Sequence, residues 1–401
     1  MPSIEIIKNK SEKLFEQLLL IRRHLHANPE LSFQEFNTST YIKQFLKESG
    51  IEFQEGFVQT GIVAEIKGKN PEKQVIALRA DMDALPIKEQ NDLEYKSTKE
   101  GVMHACGHDV HMTCLLGAIV ILNELRDEFN GTIKFVFQPG EEVLPGGASL
   151  MLEQNALGKT LPDAIIAQHV FPSMESGKVG FRNGMYMAST DEIYISVTGK
   201  GGHAAMPSEY CNPILIASKI LITLNAQFME QKHFDEHENV IPCVLAFGKI
   251  QANGATNIIP EETKLEGTFR TMNETWRGLS HEKIKSIANK IANENCGKVE
   301  VNIVKGYPFL INDEHTTNLC RSAAIEYLGR ENVEELPLRM TAEDFAWYSQ
   351  KIPACFYRLG TGNKTKGITS GVHTSTFDID EKSLITGTGL MAWIALSLLK
   401  K

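Results

Sequence analysis

Thr132-Ile-Lys-Phe-Val-Phe-Gln-Pro-Gly-Glu-Glu142 is the stretch on which the reading of this chain turns. Its first six residues form an apolar run of strand length, rich in aromatic and β-branched side chains. Pro139-Gly140 stops the run, and two carboxylates follow at once. An apolar strand that ends this way delivers its next residues to the C-terminal rim of a sheet, where α/β proteins keep their sites. Similar runs occur at 61–66, 75–80 and 163–168, with helix-like stretches at 110–125 and 147–155 between the later ones. Upstream, apolar spacing predicts one helix over 3–27, ended by Pro29, and a second over 38–49, stopped by Gly50. The alternation predicts an α/β layered domain with a mixed, mostly parallel sheet.

After Gly184 the pattern changes. Residues 191–198 alternate apolar and polar, as a half-exposed strand does. A helix over 213–230, strands at 244–250 and 263–270, and a helix over 279–294 follow; elements at 314–328, 354–360 and 382–399 complete the chain. This order predicts a smaller α+β domain inserted into the first: residues 1–186 and 307–401 form a metal-binding catalytic domain, and 187–306 a lid or dimerisation domain. An exposed edge strand there would favour a homodimer or higher homo-oligomer.

The 401 residues, with a net charge of -9, argue against non-specific nucleic-acid binding, which needs a basic face. The most apolar stretch, 110–125, is too short and too polar for a membrane span. The N-terminus has no signal-peptide core, and seven irregularly spaced cysteines make no disulfide framework; a reducing, cytoplasmic location is expected.

The chemistry concentrates in His104-Ala-Cys-Gly-His-Asp-Val-His111, where three histidines, a cysteine and an aspartate fall within eight residues. These side chains donate lone pairs to transition metals. Cys106 and His108, two apart, can share a metal or a metal pair; alone, Cys106 would read as a core cysteine beside surface histidines. Glu141 and Glu142 cannot both point at one ion, so one would bind metal while the other handles protons. In isolation they would read as a solvated acidic turn. His169 ends the apolar run 164–168 and can reach the same rim, while His373 sits in a short polar segment. His24 and His26 read as structural or surface residues. Gly199-Lys-Gly-Gly202 lacks the spacing of a phosphate loop and reads as a turn that positions His203.

The chain resembles the metal-dependent aminoacylase/carboxypeptidase superfamily, in its amidohydrolase branch of hippurate hydrolases, N-acyl-amino-acid deacylases and auxin-conjugate hydrolases. The likeness rests on Arg22-Arg-His-Leu-His-Ala-Asn-Pro-Glu-Leu-Ser32, Ala77-Leu-Arg-Ala-Asp-Met-Asp-Ala-Leu-Pro86, the 104–111 cluster and Phe137-Gln-Pro-Gly-Glu-Glu142. It continues through Gly199-Lys-Gly-Gly-His-Ala-Ala-Met-Pro207, Asn257-Ile-Ile-Pro260, Met340-Thr-Ala-Glu-Asp-Phe345 and the segment around His373. The resemblance implies two divalent ions (zinc, manganese, cobalt or nickel) held by Cys106, His108, Glu142, His169 and His373, with Cys106 as the bridge. It implies Glu141 as general base, Asp83 behind the ligands, with Asp81 and Asp109 either sharing that work or simply capping strand and helix ends, and His203 reaching the site from the smaller domain of its own or a neighbouring subunit.

The expected reaction is hydrolysis of the amide bond of an N-acyl amino acid. Arg270 would bind the substrate carboxylate through a forked pair with Asn257 beside it, unless Arg270 instead pairs with a nearby glutamate. A carboxypeptidase or dipeptidase on the same scaffold, a non-catalytic metal-binding protein, and a cysteine hydrolase built on Cys106 with His104 or His108 are the competing readings.

Overall fold

The computed structural model describes residues 2–400. The chain divides into two compact units: Met1–Tyr186 with Ile311–Pro337 and Asp344–Lys401, and Met187–Leu310 with Leu338–Glu343.

The first unit is built on an eight-stranded mixed sheet. Val75–Asp81 lies at its centre, parallel to Thr132–Gln138 on one side and to Ala164–Glu175 on the other. Ala354–Gly362 continues the parallel run beside Ala164–Glu175. Antiparallel pairs flank this centre: Gly61–Lys67 joins Thr132–Gln138, Glu52–Phe57 joins Gly61–Lys67, and Val179–Phe181 joins Ala354–Gly362. The central strands read as unbroken apolar runs because both of their faces are covered; Ala354–Gly362 is buried at every residue. Helices His108–Glu124 and Ser383–Leu398 pack on each other and on Val75–Asp81.

Several expectations are refined. The helix foreseen over 3–27 is two helices, Ile4–Lys13 and Phe15–Ala27, meeting at Leu14. The strand foreseen at 163–168 runs on to Glu175. Edge strand Glu52–Phe57 and the short strands Val179–Phe181 and Val333–Glu335 escaped the sequence reading. The first is largely exposed and carries a glycine, and the other two are only three residues long.

The second unit holds a four-stranded antiparallel sheet in the order Cys243–Ala252, Glu262–Thr271, Asp191–Thr198, Lys298–Lys305. Its last strand was also missed, because it alternates exposed and half-buried positions with few fully apolar sites. Helices Pro213–Phe228 and Glu274–Glu294 cover one face. Asn212 and Asn273 cap their N-termini by accepting from Ile214 N and Trp276 N. Cys211 and Cys296 in this unit are joined as a disulfide, which the cysteine spacing did not foretell.

Candidate metal centre

Sheet register sets the site. Asp81 pairs with Gln138 where two parallel strands end, and in the adjoining ladders Arg79 pairs with Ala167 and Arg358 with His169, so His169, midway along its longer strand, stands level with that carboxyl rim. Cys106 lies in the loop between Val75–Asp81 and the helix that begins at His108. Gly107 joins loop to helix at φ 81°, and a Cβ there would meet Val170 at 2.6 Å. Only glycine lets this loop press onto the strand that carries His169. His373 has φ 61°, and its backbone N–H donates to Ala105 O at 2.8 Å, tying its segment to the same loop.

The donors converge. Cys106 Sγ lies 3.4 Å from His169 Nε2 and 3.3 Å from His373 Nε2. Glu142 Oε1 lies 3.3 Å from His373 Nε2 and 3.9 Å from His108 Nε2. Two triads, Cys106/His108/His169 and Cys106/Glu142/His373, each have ligand atoms within 4.8 Å of one another, and Cys106 belongs to both. A third triad joins His108 to Glu141 and Glu142.

These residues fit divalent cations. Atoms bound to one ion at about 2.0–2.3 Å sit roughly 3.3–3.8 Å apart, the spacing of Cys106 from His169 and His373 and of Glu142 from His373. A single thiol hydrogen can serve only one of the two imidazole nitrogens that face Cys106. His108 Nε2 and Glu142 Oε1 are buried without a hydrogen bond. Electrostatics point the same way. Burial disfavours a charged His108, yet Asp81 and Asp83 outweigh it and push its pKa up to about 10. Burial, then the Glu142 and Glu141 carboxylates, drive the Cys106 thiol well above its ordinary range. The pocket therefore demands positive charge, and a cation would supply it and release the thiolate. Burial and the Arg358 guanidinium hold His169 well below the usual imidazole range, in the neutral state a ligand requires.

The surroundings orient these groups. Asp83 Oδ1 lies 3.2 Å from His108 Nδ1, while Oδ2 accepts from Glu142 N at 2.9 Å and from Ser32 Oγ at 2.6 Å. One buried carboxylate thus serves two candidate ligands. His169 Nδ1–H donates to Val170 O at 2.8 Å, leaving Nε2 to face Cys106. Glu141 is buried, and its Oε1 accepts from Asp344 N at 3.4 Å.

His111, the third histidine of the cluster, has both nitrogens engaged: Nδ1 with Asp81 Oδ1 at 2.6 Å and Nε2 with Val170 N at 3.0 Å. It braces the helix start against the His169 strand. Asp81 also accepts from Arg79 Nη1 at 2.5 Å, and Asp109 from Arg22 Nε at 3.0 Å. His26 is buried against Asp109 at 2.8 Å, while His24 stacks on Tyr41. The Arg79–Asp81–His111 brace is the main feature that sequence reasoning missed, although Arg79 and Asp81 both lie in the quoted 77–86 motif.

His203, Asn257 and Arg270 lie in the second unit. His203 is on the short strand Gly202–His203, paired with Ile258, and Ala204 N donates to Asn257 O at 3.1 Å. His203 Nδ1 accepts from Ala205 N at 3.1 Å. Arg270 is half-buried and donates to Met340 O at 3.5 Å; among the described residues no carboxylate pairs with it. The expected alternative, an ion pair with a neighbouring glutamate, is therefore absent there.

A rim of Cys, His and Glu donors on an α/β sheet defines a metallohydrolase. Residues 77–397 match the profile of peptidase family M20/M25/M40. The chain belongs to that family, and with it to the metal-dependent hydrolases of amide bonds. It is 38% identical to an N-acetyl-L-cysteine deacetylase of Bacillus subtilis, over 93% of this chain and 86% of the relative. It is 35% identical to thermostable carboxypeptidase 2 of Saccharolobus solfataricus, over the full length of both chains. A crystal structure from Bacillus subtilis, described as a dinuclear metal-binding peptidase of the M20 family, superposes with a TM-score of 0.81 at 33% identity, covering 97% of this chain and 99% of that one.

Proposed function

We propose that the protein hydrolyses the amide bond of N-acyl amino acids, of the N-acetyl or N-benzoyl type, to a carboxylic acid and a free amino acid. Two divalent ions would be held by Cys106, His108 and His169 on one side and by Cys106, Glu142 and His373 on the other. The observation that carries this reading is the single thiol common to both triads. The donor set suits zinc, manganese, cobalt or nickel. Such ions supply Lewis acidity, acidifying water and polarising the scissile carbonyl.

Glu141 is assigned the proton work. It accepts the proton of the attacking water and returns it to the departing amine, which needs a carboxylate beside the ligands that is not itself one of them. Glu141 precedes Glu142 in the chain and forms a triad with it and His108. His203 is assigned the developing oxyanion. Arg270, with Asn257, is assigned the substrate carboxylate; its half-buried guanidinium without a carboxylate partner supports that role. The second unit is read as a lid.

The test is amino-acid release from N-acetyl, N-benzoyl and dipeptide substrates, with chelator and after manganese or zinc is restored. Metal-dependent cleavage of the N-acyl compounds is expected. Cleavage of dipeptides alone would move the protein to a carboxypeptidase or dipeptidase. Chelator-insensitive turnover would revive a cysteine nucleophile.

A further inference from the structure

Glu35 immediately precedes the helix Phe36–Glu48, and its side chain does not cap that helix. Its fully buried carboxylate turns away instead. Oε1 accepts from Phe33 N at 2.8 Å and from Gly140 N at 2.9 Å, and Oε2 accepts from Thr60 Oγ1 at 2.8 Å. Gly140 is the residue directly before Glu141 and Glu142.

The fit at this junction is tight. Phe33 sits at φ 63° and Gly140 at φ 61°. A Cβ on Gly140 would overlap the Phe33 ring. A non-glycine residue in the left-handed region persists only when its surroundings hold it there, and the Glu35–Phe33 N bond does so. The same segment has a second arm. Ser32 Oγ donates to Asp83 Oδ2, which also accepts from Glu142 N. Residues 32–35 therefore hold the backbone of the two glutamates on both sides: at Gly140 directly, and at Glu142 through Asp83.

We propose that Glu35 is a positioning residue, whose carboxyl oxygen sets the Gly140 backbone and thereby the aim of Glu141 at the reacting water. This rests on the assignment of Glu141 as base. What the role requires is reach and one oxygen that accepts twice; negative charge is not required. Burial, and then the nearby Asp83, already raise the Glu35 pKa to about 7, so the group loses little by being neutral.

Reach and charge separate cleanly by substitution. Glu35→Gln keeps the reach and the accepting oxygen, and the Thr60 hydroxyl can rotate to accept from the amide. Glu35→Asp keeps the charge but is one methylene short. In the holoenzyme, acting on the best N-acyl substrate, Glu35→Gln is expected to keep kcat within about threefold. Glu35→Asp is expected to lose about 10- to 100-fold in kcat, the scale of a catalytic group misplaced by about 1 Å, with KM and metal content unchanged. The reverse order, equal effects, or a loss carried by KM or metal content would overturn the proposal. Ser32→Ala, read in the same assay, is expected to lower kcat several-fold. Should Glu35→Asp not fold, a Ser32→Ala kcat within twofold of wild type would overturn it. Glu141→Gln serves as the control: if that variant keeps its rate, it is the assignment of the base that has failed, not the inference about Glu35.

Discussion

The candidate metal centre of the first unit and the His203–Asn257–Arg270 group of the second are held in opposite ways. In the first, Cys106, His108 and His169 are buried and meet from segments up to 63 residues apart, and buried partners aim the imidazoles: Asp83 for His108, the Val170 carbonyl for His169. In the second, His203 and Asn257 are exposed, and the hydrogen bond to the His203 ring comes from Ala205, two residues along. A ligand set must stand ready before the ion arrives, because misplaced donors lose affinity and geometry together. Groups proposed to meet a substrate can sit on less protected backbone, which adjusts at smaller cost. On the proposed roles, substitutions in the first region act on metal and kcat, while in the second those at Arg270 and Asn257 act on KM and those at His203 on kcat.

Three substitutions test the contrast. The largest effect is expected from Glu141→Gln, which should retain the metal and lower kcat by about 10²- to 10⁴-fold. Metal analysis beside steady-state kinetics reads both, and a near-wild-type rate would remove Glu141 as base. Next is Asp83→Ala, which leaves His108 and the Glu142 amide without their shared carboxylate. Metal affinity should weaken by roughly 10- to 100-fold, measured by titrating the metal-free protein against a chromophoric chelator. Unchanged affinity would mean that the ligands are aimed by something else. The smallest effect is expected from Arg270→Ala: KM for a free-acid N-acyl amino acid should rise about tenfold or more, while the methyl ester of the same compound is little affected and metal content stays whole. Equal losses on acid and ester would end the carboxylate role and blur the division between the two regions.

Much of the first unit was legible because its strands are buried on both faces and read as plain apolar runs. The strands that escaped, such as Glu52–Phe57 and Lys298–Lys305, lie at sheet edges where exposure dilutes the signal. The Cys211–Cys296 pair was invisible for a related reason. Their Cα atoms come within 6.1 Å across 85 residues of chain, a distance set by packing and not by spacing. Of the candidate site, the donor types could be read directly, and so could the place of Glu141 and Glu142 just past a strand end; His169, expected at a strand tip, lies midway along a strand that runs on to Glu175. The role of His111 could not: it lies on the same helix start as His108, three residues on, and nothing in the spacing shows that Asp81 and Val170 engage both its nitrogens.

The class of chemistry was readable along the chain alone: a thiol, imidazoles and carboxylates, the two glutamates directly after an apolar strand, within an α/β chain interrupted by a smaller α+β segment. Tertiary structure alone decided which donors meet. Register between Val75–Asp81 and its parallel neighbours puts Asp81 and Val170 on either side of His111 and occupies both its nitrogens, while His108 is left facing Cys106, Glu142 and His169. It likewise brought the Glu35 carboxylate, more than a hundred residues away in the chain, to the Gly140 N–H. Local spacing governs which face of an element a side chain occupies; distances between elements come from sheet register and loop packing, which no stretch of the chain encodes alone.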